Sequence, residues 1–222
     1  MRSARYLFPV ISVMLILIAC KQPAKKQEPA VRVLPFYTAA DFTPQWIDRS
    51  SSAAYNAIHT IPPFSFTNQE GNTVTEKTFA GKIYVADFFF TSCPGICKRL
   101  TTNLTLVQTA FKTDDQVLLL SHSVTPDIDS VPRLKQYAEE YGVITNKWYL
   151  VTGNRDEIYD IAREAYFADE DMGVKKSSSD FLHTENMLLI DKHRRIRGIY
   201  KGTSVKDVND LIADIRILKL EE

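Results

Sequence analysis

Cysteine is scarce in this chain: only Cys20, Cys93 and Cys97 occur among 222 residues. A domain stapled by disulfides needs more, and two cysteines four positions apart close too short a loop to stabilise much, so the pair points to chemistry rather than to a structural bridge. Charge of one sign is equally lacking, with 27 Lys and Arg against 27 Asp and Glu. That balance excludes the electrostatic footprint of a nucleic-acid binder or of a protein held to anionic lipid by its surface. No internal repeat recurs, so a single core is the default organisation. No apolar run reaches the roughly 20 residues of a comfortable membrane span.

The longest apolar run lies at the start. Met1-Arg2-Ser3-Ala4-Arg5 forms a basic leader, Tyr6 to Ile18 an apolar stretch, and Leu17-Ile18-Ala19-Cys20 resembles a lipobox. The expectation is an export signal over residues 1–19, cleaved before Cys20, whose sulfur takes lipid; the alternative is an uncleaved anchor helix. Either way the chain is tethered outside the cytoplasm, at the extracytoplasmic (periplasmic) face of a bacterial membrane. Residues 20–45 read as the lipidated cysteine and a spacer, polar and rich in Lys, Gln and Pro over 21–30, with residues 46–222 as the folded domain.

Within that domain the elements alternate. Pro62 to Thr67 and Asn72 to Thr75 flank Glu70-Gly71 as a β-hairpin. The pattern then predicts strands at 83–90, 116–121 and 148–151, each followed by a helix, at about 95–111, 130–141 and 154–166. Leu100, Leu104, Val107 and Phe111 recur at helical spacing, and Asn154 with Glu157 makes a helix start. A charged, serine-rich stretch from Asp169 to Ser179 reads as a loop leading to His183. Asn186–Ile190 and Arg197–Tyr200 form a second hairpin, and Ser204 caps a last helix through Leu218. The fold class is α/β: a thioredoxin-like sheet with an added N-terminal hairpin.

The thiols sit where the buried run Ile83-Tyr84-Val85-Ala86-Asp87-Phe88-Phe89-Phe90 gives way to a helix, in Thr91-Ser92-Cys93-Pro94-Gly95-Ile96-Cys97. Four positions are about one helical turn, so both sulfurs reach the same side, a geometry for chelation or for a disulfide. Helix N–H groups and the helix dipole favour thiolate there. Redox thioredoxins space their cysteines by two residues, not three, and face them with a cis-proline. This chain has no proline after Pro132, and Phe181-Leu182-His183-Thr184 occupies the corresponding segment.

Two thiolates and an imidazole suit Cu(I), which accepts three ligands, better than structural Zn²⁺, which takes four. His183 is either that third ligand or an ordinary histidine before a strand. Among His59, His122 and His193, only His122 competes with it. Asp87 is either a buried carboxylate that tunes the thiols or a polar residue at the sheet's edge. His193-Arg194-Arg195 with Arg197 reads as a solvated hairpin or an interaction patch.

Taken jointly, Phe88 to Cys97, Ser123-Val124 before Pro126, Trp148 before Leu150 and Thr152-Gly153, and His183 before Leu188 to Asp191 resemble the Sco/SenC family of copper-handling proteins. The likeness runs from about Phe64 to the C-terminus. It implies a membrane-anchored envelope protein that binds copper through Cys93, Cys97 and His183. Its implied task is assembly of the Cu_A centre in cytochrome c oxidase subunit II, supported by an upstream thiol reductant. Lys98 stands where the family commonly has proline, and Thr125 where it commonly has aspartate; neither removes a ligand. The competing reading is a thiol-disulfide reductase that keeps the acceptor's cysteines reduced, with Cys93 and Cys97 as its catalytic pair. A peroxidase working through a Cys93 sulfenic acid finds no supporting pattern.

Overall fold

The computed structural model describes residues 32–168 and 184–221, apart from the side chain of Ser52. The signal segment, Cys20, the stretch 169–179 and His183 all lie outside the described residues. Among the described residues no helix is long and apolar enough to cross a membrane.

A short helix α1 (Ser52–Asn56) precedes strands β1 (Ser65–Asn68) and β2 (Thr73–Thr75), which pair antiparallel across the Glu70-Gly71 turn. Then come β3 (Ile83–Phe89), α2 (Ile96–Ala110), β4 (Val117–Ser123), α3 (Val131–Tyr141), β5 (Trp148–Thr152) and α4 (Arg155–Asp160), followed by β6 (Asn186–Ile190), β7 (Ile196–Lys201) and α5 (Val205–Glu221). These strands form one sheet in the order β2-β1-β5-β4-β3-β6-β7. The central β3, β4 and β5 run parallel, and β1 and β6 join them antiparallel.

Local chemistry sets the element ends. Asn154 Oδ1 accepts the Glu157 N–H at 3.1 Å, and the Ser204 hydroxyl accepts the Asp207 N–H at 3.3 Å, each satisfying a donor that the first turn leaves free. Gly142 takes the left-handed conformation (φ 64°) that closes α3, one that costs a residue without Cβ little. The helix predicted over 154–166 keeps α geometry only to Asp160 and widens to a π turn at Ile161–Ala165.

Strand alternation sorts the core into two layers. Ile83, Val85 and Phe89 of β3 and Val117 and Leu119 of β4 pack with Leu100, Leu104 and Val107 of α2, Leu134 of α3 and Leu211 and Ile215 of α5. Tyr84, Ala86, Phe88, Leu118 and Leu120 face the other way, onto Ile61, Phe64, Phe66, Ile158 and Tyr166. Leu34 and Phe36 fall within the segment read as spacer, yet both are buried, and Tyr37 makes an antiparallel bridge to Ile196 on the β7 edge.

The basic cluster departs from expectation. Its solvated reading fails for Arg195 and Arg197, both buried. Arg197 pairs with Glu221 at 2.5 Å and Asp191 at 3.5 Å, donates to the Leu34 and Pro35 carbonyls and lies 4.2 Å from the Phe36 ring centre. A guanidinium can be buried this way because its N–H groups find carboxylate and carbonyl acceptors. It ties the N-terminal arm to the C-terminal helix.

Candidate metal and thiol site

Strand β3 ends at Phe89, a turn carries Cys93, and α2 begins at Ile96, so Cys97 is the second residue of the helix. Both cysteines are free and buried, 6% exposed each, in the layer beneath α2. Pro94 and Gly95 between them are exposed, leaving the connecting turn open to a partner.

The two sulfurs lie close enough to perturb each other's acidity, and they differ in it. Burial works against the Cys93 thiolate, but the N–H groups of Cys97, Gly95 and Ile96 and the Cys97 thiol all point at it and hold its pKa below that of an ordinary thiol. Burial and the adjacent Cys93 sulfur push Cys97 up to about 12. Cys93 is therefore the sulfur that ionises more readily, and Cys97 is the one that keeps its proton.

Asp87 is not at an edge. It lies on central strand β3, 1% exposed, on the thiol-facing side of the sheet. Burial raises its carboxyl to about 7, and its charge helps hold the Cys97 proton in place. Its Oδ1 accepts the Ser121 hydroxyl, whose oxygen takes the Trp148 indole N–H at 2.8 Å; its Oδ2 has no partner. Sequence reasoning missed this chain of contacts. Its trace was there: Asp87 and Ser121 are partners in parallel register, so their side chains share a face.

His122 does not serve the thiols. Its neighbour in register is Phe88, and its ring projects to the opposite face, stacked on Phe88 at 4.9 Å and edge-on to Phe66 at 5.6 Å. Burial drives its pKa down to about 3, so it is neutral. His59 Nε2 lies 2.8 Å from the Ala165 carbonyl, in the same layer as that helix, and His193 is exposed in the β6–β7 turn. Among the described residues no three His, Cys, Asp or Glu side chains converge; His183 lies outside them.

A second feature escaped the sequence. Asp129, fully buried in the loop between β4 and α3, accepts the Thr91 N–H and the hydroxyls of Thr91, Ser123 and Thr125. Thr125, at the position where aspartate was expected, is one of its donors. The trace was a run of hydroxyl residues at two adjacent strand ends.

Comparison with known proteins places these features. Residues 52–219 match the SCO1/SenC family model. A SCO1/SenC family lipoprotein of Bacillus anthracis is 29% identical with a TM-score of 0.62, the match covering 72% of this chain and 95% of that one. BsSco, a member of the Sco family of cytochrome c oxidase assembly proteins in which a disulfide switch was identified, is 28% identical with a TM-score of 0.63, over 74% of this chain and 95% of its own. Arabidopsis thaliana ScoI, solved with copper bound, is 26% identical with a TM-score of 0.55, over 72% and 98%.

Proposed function

The chain belongs to the SCO1/SenC family, and from that premise we propose that it is an envelope copper chaperone for cytochrome c oxidase. Cys93, Cys97 and His183 take copper as cargo and pass it to the Cu_A site of subunit II. Lipid on Cys20 holds the domain at the membrane. The observation that carries this reading is the thiol pair itself: two free, buried sulfurs at a helix N-terminus, close enough to perturb each other's acidity. One is readily ionised and the other is protonated but adjacent, which suits a soft, thiophilic cation. His183, on sequence grounds, closes the set as the third donor. The solved relative with copper bound supports the choice of metal.

The site's acidity fixes the order of capture. The Cys93 thiolate binds first; the positive charge then arriving beside Cys97 displaces its proton, and the second sulfur ligates. An anaerobic Cu(I) titration of the reduced protein against a chelator tests the scheme. One tight equivalent is expected, abolished by Cys93→Ser and weakened at least about tenfold by His183→Ala, as expected when one of three donors is removed. Affinity unchanged in Cys93→Ser defeats it.

The split acidity also supports a second reading, thiol-disulfide reduction of the acceptor. The Cys93 thiolate attacks an acceptor disulfide, forming a mixed disulfide and releasing one acceptor thiolate. Cys97, on losing its proton, then displaces the second, leaving Cys93–Cys97 oxidised and the acceptor reduced by two electrons. An upstream thiol reductant resets the pair. A His183→Ala strain that still assembles active oxidase favours this reading over copper delivery.

A further inference from the structure

Two helices break the usual electrostatic pattern beside the thiols. Strands β3, β4 and β5 run parallel, so the helices that follow them, α2, α3 and α4, all begin at the end of the sheet where Cys93 and Cys97 lie. A helix N-terminus is the positive end of the helix dipole and favours acidic side chains. α4, which starts two strands away from β3, follows that rule with Asp156 and Glu157 in its first turn, and α5 does so with Asp207. Neither α2 nor α3 has an acid there. Lys98 and Arg99 occupy the first turn of α2, directly after Cys97, and Arg133 that of α3; all three are exposed. Arg133 Nε donates to Thr91 Oγ1 at 3.0 Å, which fixes it two residues before Cys93. From Phe88 to Thr113 the sequence holds no acidic residue. Among the described residues no carboxylate lies within ion-pair distance of Lys98, Arg99 or Arg133. The acids of the β4–α3 loop are engaged elsewhere. Asp129 is buried among hydroxyls, sharing that of Thr91 with Arg133 and so offsetting part of its charge, and Asp127 sits 3.9 Å from Arg155.

We propose that Lys98 and Arg99 form a cationic rim that selects the acceptor: a protein whose own sulfur site is flanked by carboxylates. The inference rests on the reading of Cys93 and Cys97 as the site that meets the acceptor, and adds the chemistry of the surface it meets. Two cations placed where the dipole is already positive, with no carboxylate of the fold beside them, do nothing for the stability of α2. They do set the field over the exposed Pro94-Gly95 turn, through which a partner reaches the sulfurs. In a chain with 27 basic and 27 acidic residues this is a local arrangement and not a consequence of overall charge. A unit charge of the acceptor about 7 Å from one such cation in water changes an encounter rate about threefold, upward for an anion and downward for a cation.

The test is the rate at which the reduced full chain, in a neutral detergent, is oxidised by small disulfides of different charge: dithiodipropionate (anionic), hydroxyethyl disulfide (neutral) and cystamine (cationic). In each reaction the dithiol becomes the Cys93–Cys97 disulfide, and the probe takes up two electrons and leaves as two thiols. Each rate is divided by that of dithiothreitol with the same probe, which removes the probe's own reactivity. Any effect of the cations on thiol acidity acts on all probes alike and cancels in the ratio of anionic to cationic rates. That ratio is expected to be about tenfold or more at about 10 mM salt and to fall below about twofold at about 1 M, where screening is nearly complete. Lys98→Gln and Arg99→Gln are each expected to lower the low-salt ratio about threefold or more, and the double variant further. Lys112→Gln, just past the opposite end of α2, removes the same charge and keeps the ratio within about 1.5-fold of wild type. A wild-type ratio near one or favouring cystamine, a ratio unchanged in the double variant, or an equal fall in Lys112→Gln overturns the proposal. A wild-type pair that does not react even with the neutral disulfide defeats the reading of the site, and this inference with it; reaction without charge preference defeats the cationic rim only.

Discussion

Asp87 and His122 are buried on opposite faces of the central sheet, on adjacent strands and one register step apart, with opposite consequences. Asp87 of β3 lies beneath α2, bonded to Ser121 and close enough to Cys97 to oppose its ionisation. His122 of β4 lies on the other side among Phe64, Phe66, Phe88 and Tyr166, with neither ring nitrogen hydrogen-bonded. Burial acts on both by the same physics, disfavouring charge: it raises the acid and lowers the base, so both sit neutral near pH 6. Only the acid has reactive groups within its field. Position in a strand, by odd or even number, separates a residue that tunes the chemistry from one that fills the core.

That comparison can be broken by pH. The carboxyl of Asp87 is raised from its ordinary 3.8 to about 7, so between those values the folded state holds more proton than the unfolded. Its contribution to stability is full below pH 4 and fades as pH rises through 7. His122 is lowered from 6.5 to about 3, so there the unfolded state holds more proton, and stability is lost as pH falls below 6.5. The two slopes oppose each other at up to about 1.4 kcal/mol per pH unit each between about pH 4 and 6.5. Asp87→Asn therefore makes the protein lose stability more steeply on acidification than wild type, and His122→Phe makes it lose less or gain. Urea unfolding across that range measures both; parallel curves for the three proteins would dissolve the contrast.

A smaller effect sharpens it on the thiol side. Ser121→Ala leaves Asp87 buried with neither oxygen hydrogen-bonded and strips the Trp148 indole of its acceptor, at a cost of about 1–3 kcal/mol in denaturant unfolding. Because the Ser121 bond is what restrains the Asp87 shift, the carboxyl should move further up, read by NMR titration. The smallest effect is expected on the histidine side. Tyr84→Phe removes one hydroxyl from the 3.2 Å Tyr84–Tyr166 pair in an otherwise apolar layer, costs about 1 kcal/mol, and leaves the thiols' reactivity toward an alkylating reagent unchanged. A change in that reactivity would mean that the faces communicate.

The element order was legible in residue patterns because those patterns are local: the apolar run at 83–90, the 3–4 spacing of Leu100, Leu104 and Val107, and the caps at Asn154 and Ser204 each report a neighbourhood of a few residues. The thiol pair was legible for the same reason, since strand, turn and helix start are contiguous. Less visible were Arg197, whose acceptors lie as far away as Leu34 and Glu221, and Asp129, whose donor Thr91 is 38 residues back along the chain.

What the sequence alone determined, then, is an α/β core with two cysteines one helical turn apart at a strand-to-helix junction, together with the Sco/SenC likeness that the family model matches. What only the tertiary structure decided is which buried residue faces those cysteines. Alternation along a strand relates Asp87 only to its own neighbours; the register that sets Asp87 beside Ser121 and Phe88 beside His122 is what puts Asp87 and His122 on opposite sides, and neither says which side receives α2. That depends on how the crossover from β3 to β4 passes over the sheet, and on the burial of Ile61, Phe64 and Phe66 from a segment distant in sequence.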